Sequence, residues 1–249
     1  MSSELDDYFS RFTYQPAPAA GTRPEEVVWR RVGQIEIAGS RLYIGDSWAI
    51  ASESIEVPIS PGVYVIDAQC FSYGTDGRIA VIRGRLQGSN PEGSREAGEF
   101  AVDVASAGFI DADALDRWTR ADQAAYEAWQ ESFSEAGVAE IAGFFACEAI
   151  GSAMVHSSTG FGDGVYKVAT LLEGDRPVGF EARFLEDGQG YFDAGSRVRA
   201  ELDRPRTFKE RLSLLWTVPL AFGALVVGVT FGLVGLVFLK LANLLKRLR

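Results

Sequence analysis

The one histidine of the chain, His156, opens a polar run through Ser157, Ser158, Thr159, Gly160, Phe161, Gly162, Asp163 and Gly164 to Tyr166. An imidazole, hydroxyls and a carboxylate this close in sequence could do hydrolytic chemistry if a nucleophile, a base and an acid converged in space. Adjacent His and Ser side chains are poorly placed to pair, and no Gly-x-Ser-x-Gly elbow occurs in the sequence. A hydrolase using His156 with Asp163 or Asp111 as its carboxylate is therefore one reading of these residues. The other is structural. Gly162, Asp163 and Gly164 permit positive φ, and the Asp163 carboxylate can accept amide hydrogen bonds from its own loop. A phosphate cradle would set glycine amides ahead of a helix, usually with a lysine, whereas these glycines lead into a strand starting at Val165.

Metal and redox chemistry find few donors. Cys70 and Cys147 are the only cysteines, and neither lies in a Cys-x-x-Cys or Cys/His cluster, so no zinc signature is present and no cofactor is expected. Both sit in apolar runs, where a reduced thiol serves as a small core residue.

The elements that must position these groups are mostly β. Short β-prone runs at residues 34–38, 41–45 and 48–52 are separated by turn signals, and 63–73, 78–86 and 100–104 follow. Asp76-Gly77 supplies a tight turn. In residues 78–85 arginines begin and end an apolar stretch, as in a strand partly covered on both faces. Residues 87–98, rich in Gly, Ser, Asn and Pro, read as an exposed loop. Asp111 caps a predicted helix through about Phe133, with Leu115, Trp118, Ala121, Ala125 and Trp129 on one apolar face. Strands near residues 141–150, 165–172 and 178–184 complete the head, the last two joined by a hairpin turn at residues 172–176. Strands before and after one long helix predict an α+β domain with a largely antiparallel sheet. Ahead of it, Tyr8, Phe9, Phe12 and Tyr14 could dock a short helix from an otherwise loosely packed arm.

Charge divides the chain sharply. Residues 204–249 hold eight basic residues against Glu210, a net of +7, which leaves residues 1–203 with 16 basic and 33 acidic residues, a net of −17. A head this acidic repels nucleic acid and anionic headgroups, so nucleic acid is excluded as a partner for most of its surface and a basic protein partner is favoured.

Residues 212–239 form a run of 28 positions without a charge, more than the roughly 20 a transmembrane helix needs. At full helical length it would reach about 42 Å against a ~30 Å hydrocarbon core, so it must tilt, kink near Pro219 or extend into the interface. Trp216 suits one interface, and the apolar and basic alternation after Lys240 suits the other. The predicted organisation is an N-terminal arm (1–31), an acidic α+β domain (32–203), a basic linker (204–211), a single span (212–239) and a basic interfacial tail (240–249). Four basic residues flank the span on each side, so charge bias gives no orientation. The start of the sequence lacks a basic region followed by an apolar stretch, which leaves a single-pass cell-membrane protein with a cytoplasmic head as the expectation. Within the span, Ala224, Gly228 and Gly232 recur at four-residue spacing, which would let two such helices approach closely and form a homo-oligomer. A span that senses or permeabilises the bilayer through this stripe is a further reading.

Several pieces carry a resemblance. Gly162, Asp163, Gly164, Val165, Tyr166, Lys167 and Val168 resemble the Gly-Asp-Gly-x-Tyr-x-Val element of a bacterial family known as domain of unknown function 4241. Pro61, Gly62, Val63, Tyr64 and Val65 look like its Pro-Gly-x-Tyr-x-Val segment, Arg78-Ile79-Ala80 like its Arg-x-Ala strand, and residues 100–111 are similar to its Val-Asp-x-x-x-Gly-x-x-Asp stretch. The likeness covers roughly residues 33–188. Val165 and Lys167 stand where that family commonly has Gly and Pro, and a membrane helix is an addition to it. The resemblance implies no established activity. Members resemble accessory proteins of bacterial conflict systems in gene setting, so it implies an immunity or defence role. Together these features predict a membrane-anchored, non-enzymatic binding protein that acts through a protein partner.

Overall fold

The computed structural model describes residues 4–136 and 141–191. In chain order these form α1 (Glu4–Phe9), β1 (Glu26–Ile37), β2 (Arg41–Asp46), β3 (Ser54–Pro58), β4 (Gly62–Ser72), β5 (Gly77–Leu86), β6 (Gly93–Val102), β7 (Ser106–Asp111), α2 (Ala112–Ala121), α3 (Gln123–Ala136), β8 (Ala142–Cys147), a 3₁₀ turn (Glu148–Ile150), β9 (Ser152–Ser158), β10 (Gly164–Glu173) and β11 (Arg176–Arg183). The predicted linker, span and tail, with Ala224, Gly228 and Gly232, lie outside the described residues. Among the described residues no helix is long and apolar enough to cross a membrane.

The strands build two antiparallel sheets, of order β1-β4-β5-β11-β10-β6 and β3-β2-β7-β9-β8. They pack face to face. Phe109 of β7 stacks on Phe180 of β11 with centroids 5.2 Å apart, inside a core that also takes Ile44, Tyr64, Ile66, Ile82 and Val155. Glycine makes the close approach feasible at this seam, because a Cβ on Gly84 would overlap the Phe180 ring. Alternation along each strand sends every second residue inward, which is why Tyr64, Ile66, Ala68 and Cys70 of β4 share the core. The short helix α1 docks through Leu5, Tyr8 and Phe9, as the aromatic cluster near the start of the chain suggests. The helices α2 and α3 cover the other face of the five-stranded sheet, where Leu115, Tyr126 and Phe133 meet Ile110 and Met154. The result is the expected mostly antiparallel α+β architecture, with its strands divided between two sheets.

Several boundaries differ from the sequence reading for physical reasons. The single helix predicted from Asp111 to Phe133 is two helices. The Asp122 amide donates to the Trp118 carbonyl and ends α2, while its carboxylate accepts from the Ala125 amide (3.0 Å) and starts α3. The predicted loop 87–98 holds the first half of β6, which pairs with β10 from Gly93 onward because the backbone ladder outweighs the turn-prone composition. Residues 48–52 form turns, closed by hydrogen bonds from the Ser52 and Glu53 amides to the Ala49 carbonyl. The strand β1 begins at Glu26, ahead of the boundary at residue 32.

Candidate functional site

The Gly-Asp-Gly motif lies between β9 and β10, and its groups hold that corner together. Gly162 has φ 114°, its amide donates to the Thr159 carbonyl at 2.8 Å, and its carbonyl accepts from the Thr159 hydroxyl at 2.7 Å. The Tyr166 hydroxyl donates into the same corner, to the Gly162 carbonyl. Asp163 reaches across to the neighbouring β6–β7 turn and accepts the Ala105 amide at 2.9 Å. Ala105 has φ 56°, a conformation that disfavours an L side chain, so this carboxylate clamps a strained turn. Gly164 opens β10.

The Pro-Gly-x-Tyr segment repeats this logic. Pro61 leads into Gly62 at φ 144°, where a Cβ would press on Leu86, and the fully buried Tyr64 donates its hydroxyl to the Ser60 carbonyl at 2.6 Å. Burial pushes the Tyr64 phenol above its ordinary pKa.

His156 sits on β9 against Phe133, with ring centroids 5.6 Å apart, and its Nδ1 is buried without a partner. Burial lowers its pKa from 6.5. The structure does not bring the other candidates to it. Its register partner on β7 is Gly108, three residues from Asp111, so Asp111 lies about 10 Å along the strand and faces the opposite side of the sheet. Asp111 accepts the Ala38 amide at 2.9 Å, the Gly39 amide at 2.8 Å and, as helix cap, the Ala114 amide at 2.9 Å. Ser157 donates to the Ser158 carbonyl. Cys70 and Cys147 are free and buried, and burial pushes the Cys70 thiol up to about 12.

The arrangement with unspent polar capacity lies on the outer face of the six-stranded sheet. Register sets Arg31 opposite Asp67, Asp67 opposite Arg83, and Arg83 opposite Glu181, a row of alternating charge across β1, β4, β5 and β11. Asp67 is bridged by Arg31 Nε at 2.7 Å and by Arg85 Nη2 at 2.9 Å. Glu181 is bridged by Arg83 at 2.6 Å and by Arg183 at 2.8 Å. The two carboxylate side chains are 11% and 15% exposed, and the four arginine side chains that bridge them are 29–46% exposed. Solvent therefore meets the arginines. Arg83 also lies over the ring of Trp29 at 4.2 Å, and Trp29 is partly exposed beside Val27 on the same face of β1. Glu4 and Arg30 complete a groove of about 580 Å³. A guanidinium presents five donors in a fixed fork, and each carboxylate here occupies only part of that capacity. Arg85 Nε is itself buried without a partner.

No single segment of the sequence contains this face. Its signal was present as period-two pairs, Trp29-x-Arg31, Arg83-x-Arg85 and Glu181-x-Arg183, but the strand order that makes them neighbours joins segments about 150 positions apart. Compared with models of protein families, with curated proteins and with solved structures, this chain matches none.

Proposed function

We propose that this chain is a membrane-anchored, non-enzymatic binding protein, an immunity or defence component that acts through a protein partner. The observation that carries the reading is the Trp29 and arginine face. Tryptophan and arginine exposed together are the residue types that dominate binding energy at protein interfaces. The hydroxyls and carboxylates that would serve catalysis support the reading from the other side, since Tyr64, Tyr166, Asp111 and Asp163 are each spent on backbone groups of their own corners. Residues 212–239 supply the tether, and the head lies on the cytoplasmic side. The resemblance to the domain of unknown function 4241 family motivates the defence role.

The test is protease protection in spheroplasts, followed by crosslinking of the full-length chain on the side where the head lies. Digestion only after lysis, with a protein crosslinked to the head, is the expected result. Digestion in intact spheroplasts overturns the topology, and a head that crosslinks to no protein in native membranes overturns the binding role.

A further inference from the structure

The net charge of −17 over residues 1–203 argues for a basic partner, yet the face with free donors has the opposite sign. Among the residues that line the groove, Arg30, Arg31, Arg83 and Arg85 outnumber Glu4 and Asp67 by two, and the Arg31, Arg83 and Arg85 side chains are more exposed than that of Asp67. We propose that this groove is the docking surface for an acidic segment, rich in aspartate or glutamate, of the protein partner. The inference rests on the binding role above and names the chemistry of the partner.

Three features of the site support an acidic occupant. The arginines are held in place before binding: Asp67 fixes Arg31 and Arg85, and Glu181 fixes Arg83 and Arg183. Side chains already ordered lose less entropy when a ligand arrives. Their donor geometry also suits carboxylates. Arg31 engages Asp67 through Nε alone, which leaves its two terminal nitrogens for a bidentate contact of the kind planar carboxylates accept. Finally, the groove is bounded by an apolar surface. Val27 and Trp29 offer packing area beside the charges, and the volume of about 580 Å³ lies within the range of ligand-binding clefts.

The acidity of the rest of the head restricts what can reach this face. Screening confines each charge to about 8 Å at physiological ionic strength. A short acidic segment lying within the groove meets mainly guanidinium groups. A long polyanion such as nucleic acid runs past the groove and over the acidic surface beyond it, where it is repelled.

The test uses the full-length chain in a nonionic detergent, with a fluorescein-labelled peptide of alternating glutamate and alanine and its glutamine counterpart as probes. Fluorescence anisotropy should show binding of the glutamate peptide alone. The double variant R31Q/R85Q should weaken it at least about tenfold. R176Q, at the exposed β10–β11 turn outside the groove, should not change it. Should the double variant fail to fold, R31Q alone carries the test, because Arg85 still satisfies Asp67. Equal affinity for the two peptides overturns the proposal, as does an equal loss in R176Q or tighter binding of single-stranded DNA or anionic vesicles than of the acidic peptide. If crosslinking captures a protein partner equally with wild type and R31Q/R85Q, the groove is wrong while the binding role stands. Failure to crosslink any protein removes the binding role itself.

Discussion

Replacing Asp111 with alanine separates the two roles its position allows. Its carboxylate is 1% exposed and accepts three backbone amides, from Ala38, Gly39 and Ala114. Loss of the helix cap at Ala114 costs about 1 kcal/mol. The Gly39 amide is buried and, left unpaired, costs about 2 kcal/mol, and the partly buried Ala38 amide adds about 1 kcal/mol. The expected loss is about 4 kcal/mol, a large share of the roughly 5–15 kcal/mol that holds a typical protein folded. At about 2–4 °C per kcal/mol for a domain of this size, Tm should fall by about 8–16 °C. Asp111→Asn keeps one acceptor oxygen and should fall by roughly half as much. Near-UV circular dichroism melting of the full-length chain in detergent reads both. A shift under about 2 °C for Asp111→Ala would refute the assignment of this carboxylate to the fold and free it for a chemical role.

Other outcomes follow from the same structure. Burial lowers the His156 pKa below 6.5, so the unfolded chain binds a proton first: stability should be full above about pH 6.5 and decline as pH falls from there toward the folded pKa. His156→Gln removes the only histidine, and Tm measured from about pH 7 to about pH 5.5 should then flatten; an unchanged slope would refute the burial argument. Cys70 and Cys147 should resist a thiol reagent in the native protein at about pH 8 and both react in denaturant, read as labelling stoichiometry by mass spectrometry. Gly84→Ala drives a methyl group into the Phe180 ring and should cost about 1–3 kcal/mol by chemical denaturation, with no comparable cost expected for Gly93→Ala, where a Cβ would meet open space.

Local chemistry was readable where one segment decides it. The Asp111 cap, the hairpin turn between Leu172 and Arg176 and the role of Gly162 in a corner all depend on residues within a few positions, and the structure places them as their types suggest. Asp122 misled because an acidic residue inside a helical apolar pattern looks like a solvated position until its side chain is seen to cap the next helix. The polar stretch at residues 156–158 hid β9, whose side chains are buried on both faces and so lack the alternation that marks a half-exposed strand. The arginine face was the least legible feature. No segment contains it, and the charges that define it are outvoted by acidic residues elsewhere in any count along the chain.

The order of the six-stranded sheet has a consequence for how the chain matures. The strands β5 and β6 follow one another in sequence yet do not touch; the β10–β11 hairpin lies between them. Until that hairpin has been synthesised and inserted, β5 has no partner on one side and β6 has lost its sheet neighbour, so a nascent or truncated chain carries open strand edges over an apolar core. Closure joins residues about 100 positions apart, a pairing that pays its loop entropy late and slowly. Insertion of β11 also brings Glu181 and Arg183 beside Arg83, so the full guanidinium row exists only on a finished head. A partner that reads this row would thereby distinguish completed molecules from those still folding.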